Sequence, residues 1–185
     1  PKYMVEWCIG NVGREIYEIF IEGYSTKQWD KHPRDLPASI IRRIPMRLNF
    51  DDNYFNDRYQ GIPIGGYTSI FEKMLEGIPL ELNVDFHKER DFFLRKFDQV
   101  IFTGPIDSFF DYSLGHLEYR SLRFDHQVLN SPDYQGNAVF NHTEAIVPYT
   151  RTYEHKHFDL NYSATKTAIT CEYPEKWTPG KIEIY

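Results

Sequence analysis

An α+β fold is predicted for this chain: a helical subdomain followed by a mostly antiparallel β-sheet domain. Three observations predict it. Ile9, Val12, Ile16, Phe20 and Tyr24 recur at spacings of three and four, which draws one apolar stripe along a helix. Leu80, Leu82, Val84 and Phe86 alternate strictly, as a half-buried strand does. From about residue 108 onward, short apolar runs are separated by turn signals such as Ser131-Pro132-Asp133. The length of 185 residues and the hydrophobic content of 41% suit a folded protein of one or two domains rather than a disordered chain.

Taken in order, the helical stripe runs to Gly23, where the glycine loosens it. Ser25 is placed to cap a short helix through Trp29. A break near Lys31–Pro37 follows, and a mobile loop is expected there. Pro37 opens a second short helix over Ala38–Arg43, and Pro45 stops it. These residues form a helical subdomain over 1–60. Asp51-Asp52-Asn53 is a turn signal. Over 61–107 the chain offers a tight loop at Gly61–Gly66, then a helix with Ser69 and Glu72 as a capping box and Gly77 as its stop. Strands are expected at 80–86 and 99–103, the latter ending in the Gly104-Pro105 turn. The sheet domain covers 108–185, with strands near 116–125, 134–142, 147–158 and 166–173 in an antiparallel meander.

The charge balance excludes some functions. Twenty-one basic residues against 27 acidic ones give a net charge of −6, so a general nucleic-acid binder is not expected. The small basic clusters, Arg42-Arg43 with Arg47 and Arg120 with Arg123, suit a local anion site. Two cysteines without CxxC spacing give no zinc motif. No apolar run approaches the ~18 residues of a membrane span, and no secretory leader pattern is seen, so a cytoplasmic protein is expected. The chain starts at Pro1 and ends at Tyr185 inside a strand-like run, which reads as a piece of a longer protein.

Aromatic residues make up 17% of the chain, with 14 Tyr and 14 Phe; they suit a β-rich core and equally suit stacking on sugars or bases. Pro63-Ile64-Gly65-Gly66-Tyr67 leads into a helix, so its glycines let the backbone approach a flat cofactor, although the same pattern serves an ordinary loop. Trp29 is either a wall for a sugar or a core tryptophan. Arg43, just before Pro45, and Arg151, which shares a strand face with Tyr149, are the candidate phosphate ligands. Tyr54 adds a phenol after the turn. His155 and His157 share a strand face, with His142 as the one obvious third ligand, and the structural role is preferred to a metal site.

Longer stretches carry more. Glu118–Phe124, Tyr134–Val139 and Val147–Arg151 set arginines, tyrosines and amides on successive strands. Together with Gly23-Tyr24-Ser25-Thr26-Lys27-Gln28-Trp29, Ile40–Pro45, Asp57–Pro63 and Thr103–Asp107, they resemble the UDP-galactopyranose mutases over nearly the whole chain, from about Arg14 to Tyr185. The resemblance implies a flavoenzyme that interconverts UDP-galactopyranose and UDP-galactofuranose through a sugar adduct at N5 of the reduced flavin, for a cell-surface polysaccharide. It implies Arg43 and Arg151 on the pyrophosphate, in the catalytic role. It implies Phe20, Tyr24, Trp29, Tyr54, Asn141, Glu172 and Tyr185 at the substrate, with Gly65, Gly66, Thr103 and Gly104 facing FAD. No metal is implied. The strands at 80–86 and 99–103 then belong to a truncated FAD-binding domain, and their exposed edges favour a homodimer.

One departure stands out. No Gly-x-Gly-x-x-Gly follows a strand in this chain, so the pyrophosphate cradle of a dinucleotide fold is missing. The chain is therefore expected to hold FAD weakly and to be inactive alone. A flavin-free nucleotide-sugar binding module is the alternative, and the Pro-x-Gly-Gly loop favours the mutase. A substrate domain of an amine-oxidase-like oxidoreductase is a third reading, one that requires no pair of phosphate arginines.

Overall fold

The computed structural model describes residues 1–51, 53–159 and 165–180. The chain divides into two compact units, Pro1–Ile62 with Tyr119–Tyr185, and Pro63–Glu118. The helical segment and the sheet thus share one unit.

The first unit begins with α1 (Met4–Val12) and α2 (Arg14–Ile16), a π-helical stretch over Tyr17–Glu22, and α3 (Gly23–Trp29). Gly13 breaks the first helix with φ 85°, a left-handed angle that glycine adopts without penalty. The break and the π turns rotate the chain, and the expected stripe does not survive them. Met4, Cys8 and Tyr17 face the core with Leu36 and Ile41, whereas Ile16 is 43% exposed and Phe20 54%. Trp29 packs against this core from its edge. Ser25 lies buried inside α3 rather than capping it, and Asp30 ends the helix in the left-handed region at φ 52°.

The chain then returns through a 3-10 turn at Pro33–Asp35 to α4 (Ser39–Arg42). Met4 N–H donates to the Leu36 carbonyl at 2.9 Å, and Ala38 N–H to the Lys2 carbonyl at 3.0 Å. These bonds fasten α4 beside α1. Cys8 and Cys171 are both buried free thiols.

Four strands form one sheet: β1 (Arg120–Leu129), β2 (Val139–Asn141), β3 (Arg151–Glu154) and β4 (Thr167–Lys176). Their order is β1-β4-β3-β2, with every pairing antiparallel. The sequence led to a meander, which would set β1 beside β2. Instead β1 pairs with β4 over ten residues, and only β2, β3 and β4 run in meander order. Alternation fixes which face a strand buries, but not which neighbour it takes. His155–Phe158 is a 3-10 turn, so His155 and His157 do not share a strand.

The second unit carries α5 (Thr68–Met74), α6 (Phe86–Lys96) and α7 (Ile106–Phe109). Phe86 lies 6.0 Å from Phe93, 5.0 Å from Phe102 and 6.2 Å from Phe109 between ring centroids. Asp107 is buried and accepts from the Ser108 and Leu117 N–H groups, both at 3.0 Å. Ser69 lies inside α5, and no side chain caps that helix. The strands expected at 80–86 and 99–103 do not form among the described residues. Asn83 turns left-handed at φ 61°, and Asp85 accepts from His87 N–H to start α6 at the very phenylalanine assigned to a strand. A strand needs a partner ladder, and none is present for these segments here.

Candidate functional site

The sheet register assembles the site. Asn141 on β2 lies opposite Arg151 on β3, Arg151 lies opposite Glu172 on β4, and Glu172 lies opposite Phe124 on β1. Directly opposed residues of antiparallel strands put their side chains on one face. A single row therefore crosses all four strands.

Arg151 is its centre. Its Nε donates to Asn141 Oδ1 at 3.1 Å, and its Nη1 reaches both Glu172 carboxylate oxygens at 3.2 Å. The Tyr24 ring of α3 lies 5.9 Å from the guanidinium carbon. Arg151 Nη2 has no hydrogen-bond partner among the described residues, so part of the fork is left for a ligand. Burial opposes the charge on Arg151, but Tyr153, Tyr24 and Glu172 outweigh it and raise its pKa. The guanidinium stays charged at any working pH.

Glu172 is 1% exposed. A buried carboxylate needs full hydrogen bonding. Thr150 Oγ1 supplies a bond at 2.8 Å, Tyr153 OH another, and Arg151 the countercharge. Burial first, and then the bond to Glu172, push the Tyr153 phenol up to about 12. It therefore remains a donor. Neither Thr150 nor Tyr153 was found from the sequence. Tyr153 was legible in principle, because it stands two residues from Arg151 on a strand. Tyr149, chosen for that face instead, precedes β3 and packs against His142 and Tyr173.

Arg43 follows the end of α4 and lines a separate cavity of about 290 Å³ with Pro45, Tyr54, Phe55 and Asn56. The structure thus brings Arg43 and Tyr54 together. Arg47 holds the loop nearby, with Nε 3.3 Å from Asp51 Oδ2 and Nη2 donating to Asn56 Oδ1 at 2.5 Å. Asp51 keeps its side chain 42% exposed in this ion pair. No hydrogen bond joins Arg43 or Tyr54 to the Arg151 row among the described residues.

Phe20 stands exposed on the π-helical stretch, four residues before Tyr24. Trp29 is half-buried against the helical core, so the core role weighed for it is at least partly realised. Tyr185 lies outside the described residues. In the second unit, Gly65 and Gly66 adopt φ 84° and 91°, and a Cβ on either would meet nothing within 4 Å. Their backbone is open to a flat group. A Cβ on Gly104 would collide with the Phe102 ring, so Gly104 serves packing, and Thr103 is exposed beside it.

One three-residue group among the described residues has metal-ligand spacing: Asp133, Glu154 and His157. The Lys156 ammonium is seated in it, 3.6 Å from Glu154 and hydrogen-bonded to Asp133. His142, the third ligand considered, is elsewhere, with Nε2 2.8 Å from Thr152 Oγ1. Glu154 is fully buried and accepts from the Tyr134 and Gln135 N–H groups and from Thr167 Oγ1. Burial would raise its pKa, but these bonds outweigh it and hold it below the usual carboxylate value.

A second feature missed in the sequence is Lys27 of α3. Its ammonium lies 2.7 Å from the His142 carbonyl oxygen, 2.9 Å from Glu144, 3.0 Å from Val147 and 3.1 Å from Tyr149. A lysine on a short helix carries no signal of such a cage. Burial pulls its pKa down, with Glu144 opposing.

A helical layer that sets a tyrosine against a sheet arginine, with a buried carboxylate paired to that arginine, marks this α+β protein. Sequence comparison gives the family. The UDP-galactopyranose mutase profile matches residues 19–185, and the chain belongs to that family. It is 42% identical to a probable UDP-galactopyranose mutase of Klebsiella pneumoniae over 188 aligned positions, covering all of this chain and 48% of that protein. It is 40% identical to a dTDP-fucopyranose mutase of Escherichia coli, over 85% of this chain and 43% of that one. A UDP-galactopyranose mutase of Mycoplasma genitalium is 32% identical over 94% of the chain and 45% of its own length. The chain spans about half the length of the curated relatives it matches.

Proposed function

We propose that this chain is the substrate-handling part of an isomerase that interconverts UDP-galactopyranose and UDP-galactofuranose. The in-register row Asn141–Arg151–Glu172 carries the reading. It offers one fixed guanidinium whose Nη2 has no hydrogen-bond partner among the described residues, which suits a diphosphate. Arg43 and Tyr54 supply the second phosphate contact from their cavity, on the far side of the pyrophosphate. Phe20 and Tyr24 stack the uracil, Trp29 borders the sugar, and Tyr185 adds a phosphate contact.

In this mechanism the two arginines stabilise the charge that develops on the departing UDP. Asn141 and Glu172 fix the direction in which Arg151 points. FAD, in its reduced form, supplies the nucleophilic nitrogen when bound. The open left-handed backbone of Gly65 and Gly66 suits the approach of such a ring, and Thr103 is exposed. The chain's sequence offers no cradle for the cofactor phosphates, so we expect the chain alone to retain no flavin and to be inactive. The sheet site lies within one unit, which also serves the reading as a flavin-free nucleotide-sugar module.

Titration of this chain with UDP, followed by tryptophan fluorescence, tests the binding reading. Quenching that saturates, and an affinity at least about tenfold weaker in Arg151→Ala, are expected. No saturable quenching would remove the reading. Absorbance after incubation with FAD and desalting, on this chain and on its full-length parent, separates the two alternatives. A parent without flavin would leave only the binding module.

A further inference from the structure

We infer that Lys27 is a positioning residue for the sugar-nucleotide site, clamping the 142–149 loop to α3 so that Tyr24 and Arg151 face one ligand. The inference rests on the proposed function for the identity of that ligand. Four carbonyl oxygens converge on one ammonium, at 2.7 to 3.1 Å. An ammonium has three N–H donors, so at least one is shared. The four carbonyls belong to the single loop that joins β2 to β3.

What that loop connects matters. Asn141 ends β2 and Arg151 begins β3, and the two are paired across the hairpin. Tyr24 stands on α3 three residues before Lys27. The clamp therefore ties the helix bearing the aromatic ring to the hairpin bearing the arginine. Gly23 completes the approach, since a Cβ there would collide with the Thr143 carbonyl oxygen. His142 N–H donates to the Thr150 carbonyl at 2.9 Å and closes the base of the loop. Without the ammonium, the four carbonyl dipoles would face one another. Arginine cannot replace lysine here, because its planar fork does not fill a compact cage.

Lys27→Met keeps the stem and removes the charge, Lys27→Arg keeps the charge, and Lys27→Ala opens the cage to a small cation. Two readouts are taken on this chain: hydrogen–deuterium exchange of amides 139–151, and the UDP titration. We expect exchange in 139–151 and the Kd for UDP each to rise by about tenfold in Lys27→Met and Lys27→Arg, with β1 and β4 amides unchanged. Propylammonium is expected to restore both in Lys27→Ala, and guanidinium is not. Unchanged exchange would overturn the clamp. Faster exchange with unchanged UDP affinity would overturn the positioning role. If Met or Ala variants do not fold, Lys27→Arg decides, since normal exchange and affinity there would refute the cage. If the unsubstituted chain binds no UDP, the nucleotide reading falls, and exchange in 139–151 alone decides the clamp.

Discussion

At the scale of single residues, the site is a set of buried polar groups that answer one another. The Arg151 charge is partnered by Glu172 and Tyr153, and Glu172 tolerates burial because Thr150, Tyr153 and Arg151 bind it. His142 gives a pH prediction. Burial first, and Lys27 beside it, lower its pKa below the ordinary 6.5, with Glu144 opposing. The folded chain therefore keeps the imidazole neutral, while the unfolded chain protonates it. Its stabilising contribution is present above the unfolded value and is lost as the pH falls toward the depressed folded one. The Tm should decline as the pH drops below about 6.5. His142→Gln should flatten that slope in a thermal-melt series. Equal slopes would place the titrating group elsewhere.

At the scale of elements, Glu154 links three pieces of the sheet unit: the 134–135 turn, the end of β3 and the start of β4. Glu154→Ala leaves two N–H groups and the Thr167 hydroxyl without their acceptor, and should cost about 3 kcal/mol in urea denaturation. A loss below about 1 kcal/mol would show that water replaces the carboxylate. Element type was largely legible. Strands near 116–125, 134–142, 147–158 and 166–173 are realised, although shorter at β2 and β3. Period two is realised in β3, where Thr152 and Glu154 are buried and Arg151 and Tyr153 are half-buried, but not in β2, which is exposed throughout. The same rule failed at Leu80–Phe86, where Asn83 and the Asp85 cap win over alternation. The helical stripe failed at a different step. Gly13 and the π turns change the angular step; the glycine is a readable helix stop, whereas the π turns carry no sequence signal.

At the scale of the whole molecule, the two units are built differently. The first has a buried core at Met4, Cys8, Tyr17, Leu36 and Ile41 and a four-stranded sheet. The second buries only Asp107 and Ser108 among its described residues, while Ile64, Leu82, Ile101 and Leu114 stand in the open. With so little apolar burial, its helices should open locally. Amides of α5 and α6 are expected to exchange at least about a hundredfold faster than those of β4. Comparable protection would mean that this unit is covered in solution, as self-association through its apolar surface would do. Of the candidate site, Arg151, Asn141, Glu172 and Tyr24 were named from sequence, and the structure brings them together. Tyr153, Thr150 and Lys27 were not, because their roles depend on residues 19 to 122 positions away.

The cross-sheet row also makes chain length part of the chemistry. A strand counts in twos, so deleting one residue within β3 would turn Arg151 to the opposite face and bring Thr152 toward the ligand. The anchored 142–149 loop limits how much slack could absorb such a change. Insertions and deletions between Asn141 and Glu172 should thus be more damaging than most single substitutions there, even where every named side chain is retained.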